Sequence, residues 1–349
     1  MSNSSTPMPQ ATVATPLAKA PGLGRRRLLL MAAILPVAGW RMVQNAHAEP
    51  LEWHGMALGA PASLILHHDG DIAGAQAALN ATLAEVTRLE SMFSLFRADS
   101  VISTLNRTGH VDNAPSEFID LLGTALNMSE LSQGVYDPSI QPLWNLYYDY
   151  FVVGGNTLRP DAEKVKLAKA LVGWRGVKIS GSSVTMAQAG MGLTLDSVGQ
   201  GFITDRCGDV LRAHGFKHML VDMGEPRAMA AKPDGSAWQI GLADPRDPSR
   251  SVHTLSVFDQ AVATSGGYGT ILDTAGLYTH LIDPHSGLTA PAYESVSVVA
   301  PTATQADALS TALALIPISN MPARLALLRT QPGCRAICIN NAGQVSELV

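Results

Sequence analysis

The chain has 349 residues, of which 46% are apolar and 15% charged, and its formal net charge is −5. This length and apolar content are typical of a globular protein with one large domain or two modest ones. The negative charge, and the lack of a basic stripe in the body of the sequence, give no electrostatic support to nucleic acid binding.

The first 48 residues have the pattern of an export signal. Three arginines, Arg25 to Arg27, precede a short apolar run at residues 28–39, and Ala46 to Ala48 form an A-x-A cleavage site. This pattern predicts a signal peptide rather than a membrane span, a mature domain at residues 49–349 without a transmembrane helix, and a periplasmic location. The arginine pair before two leucines favours twin-arginine export, and an ordinary Sec signal is the alternative.

The three cysteines, Cys207, Cys334 and Cys338, cannot all pair within one chain. Cys334 and Cys338 lie four residues apart in a predicted strand, where they share a face but are too far apart to form a disulfide. No His and Cys residues have the spacing of zinc ligands. We therefore expect neither a disulfide framework nor a zinc site.

The first half of the mature chain alternates strand and helix patterns. A stripe of apolar residues at helical spacing, from Leu79 to Phe93, predicts an amphipathic helix over residues 73–92. Residues 147–157 are rich in aromatic residues and glycine, and we expect a loop there. The other predicted elements are strands at 52–68, 177–179 and 183–186, and helices at 115–132 and 161–171.

Several polar residues of this half stand in otherwise apolar surroundings. Ser94, Arg97 and Asn106 lie around a predicted turn between two helices, whose N-cap is Asp99 or Ser100. A second turn is predicted by Asp137, which directly precedes a proline. Aspartate before proline is usually a turn former, and in this turn it could equally line a ligand site.

A glycine-rich turn, residues 196–201, is predicted between a strand at 193–195 and a helix at 202–213. Such a turn presents free backbone N–H groups and the positive end of a helix, which suits a diphosphate. The following buried strand, 218–223, leads to Gly224 and Glu225, and Arg227 is expected to form a weak surface pair with Glu225. Further strands are predicted at 238–243 and 252–258.

The stretch from Ala261 to Thr311 carries most of the candidate chemistry. A short apolar strand breaks into a T-S-G-G-Y turn, and a second strand with His280 ends in a proline turn. A helix start then places Asp307 and Thr311 four residues apart on one helical face, where two hard oxygen ligands suit Mg²⁺ or Ca²⁺. His280, Asp283 and His285 form an alternative transition-metal set, although aspartate in such a turn usually serves the turn itself.

These segments together resemble the ApbE family of Mg²⁺-dependent FAD:protein FMN transferases. The resemblance rests on six segments in family order, from the F-S-x-x-x-x-x-S-x-I-x-x-L-N pattern at residue 93 to the A-D-A-x-x-T pattern ending at residue 311. It implies an α+β domain with mixed or antiparallel sheets and packed helices around a single FAD cleft. It also implies transfer of FMN from FAD to a threonine or serine of an acceptor protein.

The resemblance also assigns residues. It implies His280 as the catalytic base, and Asp307, Thr311 and the backbone carbonyl of Gly199 as Mg²⁺ ligands. Gln200 stands where the family usually has lysine, which removes one cationic contact to phosphate or flavin. The implied FAD-site residues are Ser94, Arg97, Asn106, Asp137, Gln200, Gly224, Glu225, Thr264, Ser265, Gly266 and Tyr268.

The export signal and Gln200 together resemble the NosX branch of the family, which serves nitrous oxide reductase maturation. That resemblance implies a NosR-type membrane flavoprotein as the acceptor. Two alternatives remain open on the sequence: hydrolysis of FAD to FMN and AMP by the same metal site, and flavin binding without turnover.

Overall fold

The computed structural model describes residues 49–289, 295–340 and 342–349. The predicted signal peptide, residues 1–48, lies outside the described residues, so it stays a prediction. In the described ranges, no helix is both long enough and apolar enough to cross a membrane.

The described residues form eight α-helices and thirteen strands. The helices are α1 Ile72–Phe93, α2 Val101–Thr108, α3 Ser116–Leu131, α4 Gln141–Tyr147, α5 Ala162–Lys169, α6 Asp196–Ala213, α7 Ala303–Leu315 and α8 Met321–Arg329. The strands are β1 Leu51–Ala57, β2 Ala60–Leu66, β3 His110–Val111, β4 Val177–Ser180, β5 Ser183–Met186, β6 Met219–Asp222, β7 Pro226–Met229, β8 Trp238–Asp244, β9 Asp247–Val257, β10 Gln260–Ser265, β11 Ser295–Ala300, β12 Arg335–Ile339 and β13 Val345–Leu348.

The main sheet has eight strands in the order β1-β2-β6-β7-β10-β11-β12-β13. Every neighbouring pair in it is antiparallel. A small sheet of β3, β5 and β4 and the separate hairpin of β8 and β9 complete the strands. The fold is therefore α+β with antiparallel sheets, as the sequence predicts.

The two faces of the main sheet are covered differently. Helices α1, α6 and α7 pack on one face, with α3 against α6 and α7, and side chains such as Ala261, Ala263 and Val298 join their core. The β8–β9 hairpin packs on the other face against Val262, Val299 and similar apolar residues. This alternation along each strand is the period of two expected when both faces are buried.

The chain around Leu193 differs from the prediction. Residues 193–195 form no strand, and α6 begins at Asp196, so the predicted glycine-rich loop is the first turn and a half of a helix. The Asn106 amide holds Leu193 in an extended path, since it donates to the Leu193 carbonyl at 2.8 Å and accepts from its N–H at 2.7 Å. A side chain thus takes the hydrogen bonds that a partner strand would make.

Two other expectations are wrong for a shared reason. Residues 148–153 form a π-helix that continues α4 rather than a loop, and the predicted strand before Pro284 has only isolated bridges. Both segments join one aromatic cluster, in which the Tyr278 ring lies 4.5 Å from Phe151 and 5.7 Å from Tyr147. Side-chain packing between distant segments fixes their backbone, which a local pattern does not report.

Candidate active site

Helix α7 places a carboxylate in the protein interior. Asp307 is only 4% exposed, and its Oδ2 accepts a hydrogen bond from the Gly201 N–H of α6 at 3.0 Å. Burial raises the pKa of Asp307 to about 7; the Gly201 bond opposes this rise, and the nearby carboxylates of Asp196 and Asp205 add to it. The charged form of Asp307 is therefore disfavoured in this position unless a cation is bound nearby.

The end of strand β10 meets the next turn of α7. The Ser265 hydroxyl lies 2.8 Å from the Ser310 hydroxyl and 3.0 Å from the Thr311 hydroxyl. Thr311 follows Asp307 by four residues on the same helix, so both side chains project from one face. The structure thus brings three predicted site residues, Ser265, Asp307 and Thr311, to one side of α7.

A second buried carboxylate lies across the strand end. Glu225 is 5% exposed and accepts a hydrogen bond from the Thr264 N–H at 3.2 Å. Burial raises the pKa of Glu225 well above its usual range, and the charges of Asp307 and Asp222 add to the effect. Burial likewise raises the pKa of Tyr268 to about 12, with Glu225 contributing, so Tyr268 also faces this group of carboxylates.

This arrangement fits a divalent cation. Among the described residues, the charged groups that shift the pKa values of Asp307 and Glu225 are all carboxylates. Buried negative charge normally requires a compensating cation, and carboxylate and hydroxyl oxygens are ligands for Mg²⁺. In the same ranges, no three His, Cys, Asp or Glu residues are arranged to hold a metal, which disfavours the alternative set of His280, Asp283 and His285.

Helix α6 brings Gly199, Gln200 and Gly201 to the same region. Gly199 and Gln200 lie in the helix rather than in a loop, and Gln200 packs against Gly224. Gly224 has a φ of +115°, and a Cβ there would lie 2.7 Å from the Gln200 side chain. The turn before Glu225 therefore needs glycine for both its backbone angle and its contact with Gln200.

His280 lies beside the turn that follows β10. Its backbone N–H donates to the Thr270 carbonyl at 3.0 Å, and a Cβ on Gly269 would lie 3.3 Å from the imidazole Cε1. The turn begins at Gly266, directly after Ser265, and includes Tyr268. The imidazole therefore lies beside the turn that follows the strand end in contact with Thr311.

Four predicted FAD-site residues have clear local partners. Ser94 ends α1 and accepts from the Phe96 N–H, Arg97 pairs with Asp99 at 3.2 Å, and Asn106 holds Leu193 as described above. Asp137 is buried and accepts from the Ser139 N–H and hydroxyl and from the Trp174 N–H, and burial raises its pKa. A role for these residues in binding FAD stays a prediction.

Sequence reasoning missed three contributions to this region. Ser310 touches Ser265, the buried Tyr136 hydroxyl accepts from Ser197, and Arg227 pairs with Asp205. The Arg227–Asp205 pair is buried, at 10% and 13% side-chain exposure, and replaces the expected surface pair with Glu225. Only the placement of Arg227 in a strand with an apolar pattern could have signalled its burial.

Comparisons with known proteins agree with this fold. A sequence model described as the ApbE family matches residues 58–338. A protein of Treponema pallidum named FAD:protein FMN transferase is 32% identical over 297 residues, which cover 75% of this chain and 78% of that protein.

Solved structures have the same fold. The apo flavinyl transferase ApbE of Pseudomonas stutzeri has a TM-score of 0.74 at 25% identity, with 88% of this chain and 97% of that chain covered. The ApbE protein of Thermotoga maritima has a TM-score of 0.77 at 24% identity, with 86% and 97% covered. Since the family match spans more than half of the chain, this protein belongs to the ApbE family.

Proposed function

We propose that this chain is a FAD:protein FMN transferase, which transfers FMN from FAD to a threonine or serine of an acceptor protein and releases AMP. Its family membership and the activity named for its Treponema relative support the proposal. The observation that carries it is the meeting of Asp307, Thr311 and Ser265 at the end of β10, beside the buried Glu225.

The reaction exchanges one phosphorus–oxygen bond for another. The acceptor hydroxyl oxygen attacks the phosphorus on the FMN side of the FAD diphosphate, and the bond from that phosphorus to the AMP oxygen breaks. His280 takes the hydroxyl proton, since an imidazole accepts a proton near neutral pH. AMP leaves with the electron pair of the broken bond, and the product is a phosphoester between FMN and the acceptor.

Asp307, Thr311 and the Gly199 carbonyl are the groups that would hold Mg²⁺. When bound, Mg²⁺ neutralises negative charge on the diphosphate oxygens. The Gly201 N–H orients the Asp307 carboxylate. The Ser265 hydroxyl orients Thr311 in the same way across the strand–helix contact.

The setting of the reaction is also part of the proposal. The N-terminal pattern of residues 1–48 supports export to the periplasm, by the twin-arginine route. The acceptor is then an extracytoplasmic flavoprotein, and Gln200 in place of the usual lysine supports a NosR-type membrane protein. A test on paired acceptor domains, one of NosR type and one from another flavoprotein, distinguishes these partners by the yield of covalent FMN.

The activity is tested by incubating the purified mature chain with FAD, Mg²⁺ and an acceptor domain, and by following acceptor mass and free nucleotides. We expect covalent FMN on the acceptor and an equal amount of AMP. A matched acceptor whose threonine is replaced by valine should remain unmodified. Free FMN with AMP would instead indicate FAD hydrolysis, and unchanged bound FAD would indicate a binding protein without turnover; either result contradicts the proposal.

A further inference from the structure

Helices α6 and α7 cross at an unusually short distance. At the crossing, a Cβ on Gly201 would lie 2.2 Å from the carbonyl oxygen of Ala303 and 2.8 Å from the Thr304 nitrogen. These are backbone atoms, which cannot swing aside as a flexible side chain can. Only glycine at residue 201 therefore permits the first turn of α7 to lie this close to α6.

One turn further along α6, a carboxylate holds the start of α7. Asp205 accepts hydrogen bonds from the Ala303 N–H at 2.9 Å, the Thr304 N–H at 2.9 Å and the Thr304 hydroxyl at 2.6 Å. The first N–H groups of a helix have no partners within the helix, and negative charge is favourable there. Asp205 thus fastens the N-terminal turn of α7 to α6.

Strand β7 supplies the balancing charge. The Arg227 guanidinium donates to the Asp205 carboxylate at 2.6 Å, and both side chains are nearly buried. A buried carboxylate without its cation is strongly destabilising, so the two side chains act as a unit. Through it, α6, α7 and the main sheet are tied together at one point.

This point controls the geometry of the proposed metal site. Asp307 follows Ala303 by one helical turn, and its carboxylate accepts from the N–H of Gly201, the residue at the crossing. Any change in the separation of α6 and α7 therefore changes the position of Asp307 relative to Gly199 and Gly201. We infer that Asp205, held by Arg227, is a positioning residue that sets Mg²⁺ affinity; this inference rests on the proposed function.

The helix itself does not depend on Asp205. The Thr302 hydroxyl caps α7 by accepting from the Gln305 N–H at 3.2 Å, so α7 keeps an N-cap when Asp205 is changed. Loss of the Asp205 carboxylate should accordingly shift α7 rather than unfold it. The expected result is weaker Mg²⁺ binding in a protein that is folded but less stable than the wild type.

The test compares Mg²⁺ binding by wild-type mature chain and the Asp205→Asn variant, through calorimetry and through the rise of Tm with Mg²⁺ concentration. The asparagine NH₂ group is a donor and must face either Arg227 or Thr304. Because both of these also donate, one of the hydrogen bonds to residue 205 is lost. We expect about tenfold weaker Mg²⁺ binding, the usual cost of losing a residue that orients a metal ligand. The matched control is Asp161→Asn, which changes the N-cap of α5 and should leave Mg²⁺ binding unchanged.

A milder variant keeps the test decisive if Asp205→Asn does not fold. Thr304→Val removes one donor to Asp205 and leaves the ion pair intact, and we expect about threefold weaker Mg²⁺ binding. In both variants, excess Mg²⁺ should restore FMN transfer towards the wild-type rate, which a purely structural defect would not allow. Unchanged Mg²⁺ affinity, or activity that excess Mg²⁺ does not restore, would overturn the inference alone. A wild-type chain that binds no Mg²⁺ would overturn the proposed metal site as well.

Discussion

The two faces of the main sheet differ in the size of their side chains, and this difference decides how closely the next layer can approach. Along β10, Ala261, Ala263 and Ser265 face the helices, and Val262 and Thr264 face the β8–β9 hairpin. The residues of β10 that face the helices are small, and the buried residues of α7 that pack near them include several alanines. Short side chains bring the backbones close, so that hydroxyls on strand and helix can touch.

The hairpin face of the same sheet is packed with larger side chains. Large apolar residues such as Ile240, Leu255 and Ile337 fill the space between sheet and hairpin. This packing stabilises the fold through buried apolar area. The helix face gives up part of that gain, since it buries the Asp307 carboxylate and several hydroxyls. Substitutions on the helix face should therefore affect the chemistry of the site, and those on the hairpin face only the stability of the fold.

The largest effect is expected at Asp307. Asp307→Asn keeps the shape but removes the charge, and should lower FMN transfer by about 10²-fold to 10³-fold, as when one electrostatic contact to a transition state is lost. In Mg²⁺-free buffer its Tm should equal or exceed that of the wild type, because an uncompensated buried charge is gone. Transfer assays and thermal unfolding measure the two effects. Full activity in the variant would refute the metal assignment.

A substitution at His280, in the segment after β10, should affect the rate of the reaction without affecting the packing of the sheet. His280→Gln should lower the maximal rate of transfer by about 10²-fold, the usual contribution of a general base. Mg²⁺ affinity and Tm should change little, since the imidazole lies beside Gly269 and the Thr270 carbonyl in the turn after β10. Steady-state kinetics with saturating FAD and acceptor measure the rate. A rate close to wild type would show that another group accepts the proton.

Packing on the helix face should affect both stability and the site. Ala263 is fully buried, and Ala263→Val adds two methyl groups between β10 and the helices. We expect a loss of about 1–3 kcal/mol in the free energy of unfolding, with weaker Mg²⁺ binding because α7 must move outwards. Urea unfolding and Mg²⁺ titration measure these quantities. Destabilisation with unchanged Mg²⁺ affinity would break the proposed link between close packing and the site.

The matched change on the hairpin face should be the smallest. Ile337 is 1% exposed, and Ile337→Val removes one methylene from the hairpin side of β12. The expected loss is about 0.5–1.5 kcal/mol in the free energy of unfolding, with Mg²⁺ affinity and transfer unchanged. The same two measurements apply. A change in Mg²⁺ affinity here would mean that the two faces are mechanically coupled.

Much of the fold was predictable because local patterns reported it. The stripe from Leu79 to Phe93 predicted α1 to within a residue at each end, and the alternation around Val252 predicted part of the longer strand β9. Predictions from the sequence were wrong where groups distant in the chain supply the backbone's hydrogen bonds or pack against the segment. Leu193 is paired by the Asn106 side chain, and Tyr278 is fixed by rings from α4 and the π-helix.

Motif order also named candidate site residues, and their roles stay predictions. The structure does bring Ser265 of β10 against Thr311 of α7, and places His280 beside Gly269 in the turn that follows β10. Motifs did not report that Arg227 turns inwards to Asp205 rather than to Glu225. Pairing of charges depends on which elements lie next to each other, and the two partners are 22 residues apart.

By itself the sequence determined the family, the α+β class and the residue types available for chemistry, because these depend on motifs and on periodicity within single segments. The tertiary structure alone decided how closely α6 and α7 approach, which carboxylates are buried together, and which cation balances Asp205. Those properties depend on distances between segments far apart in the chain, where packing of small residues rather than local preference sets the geometry.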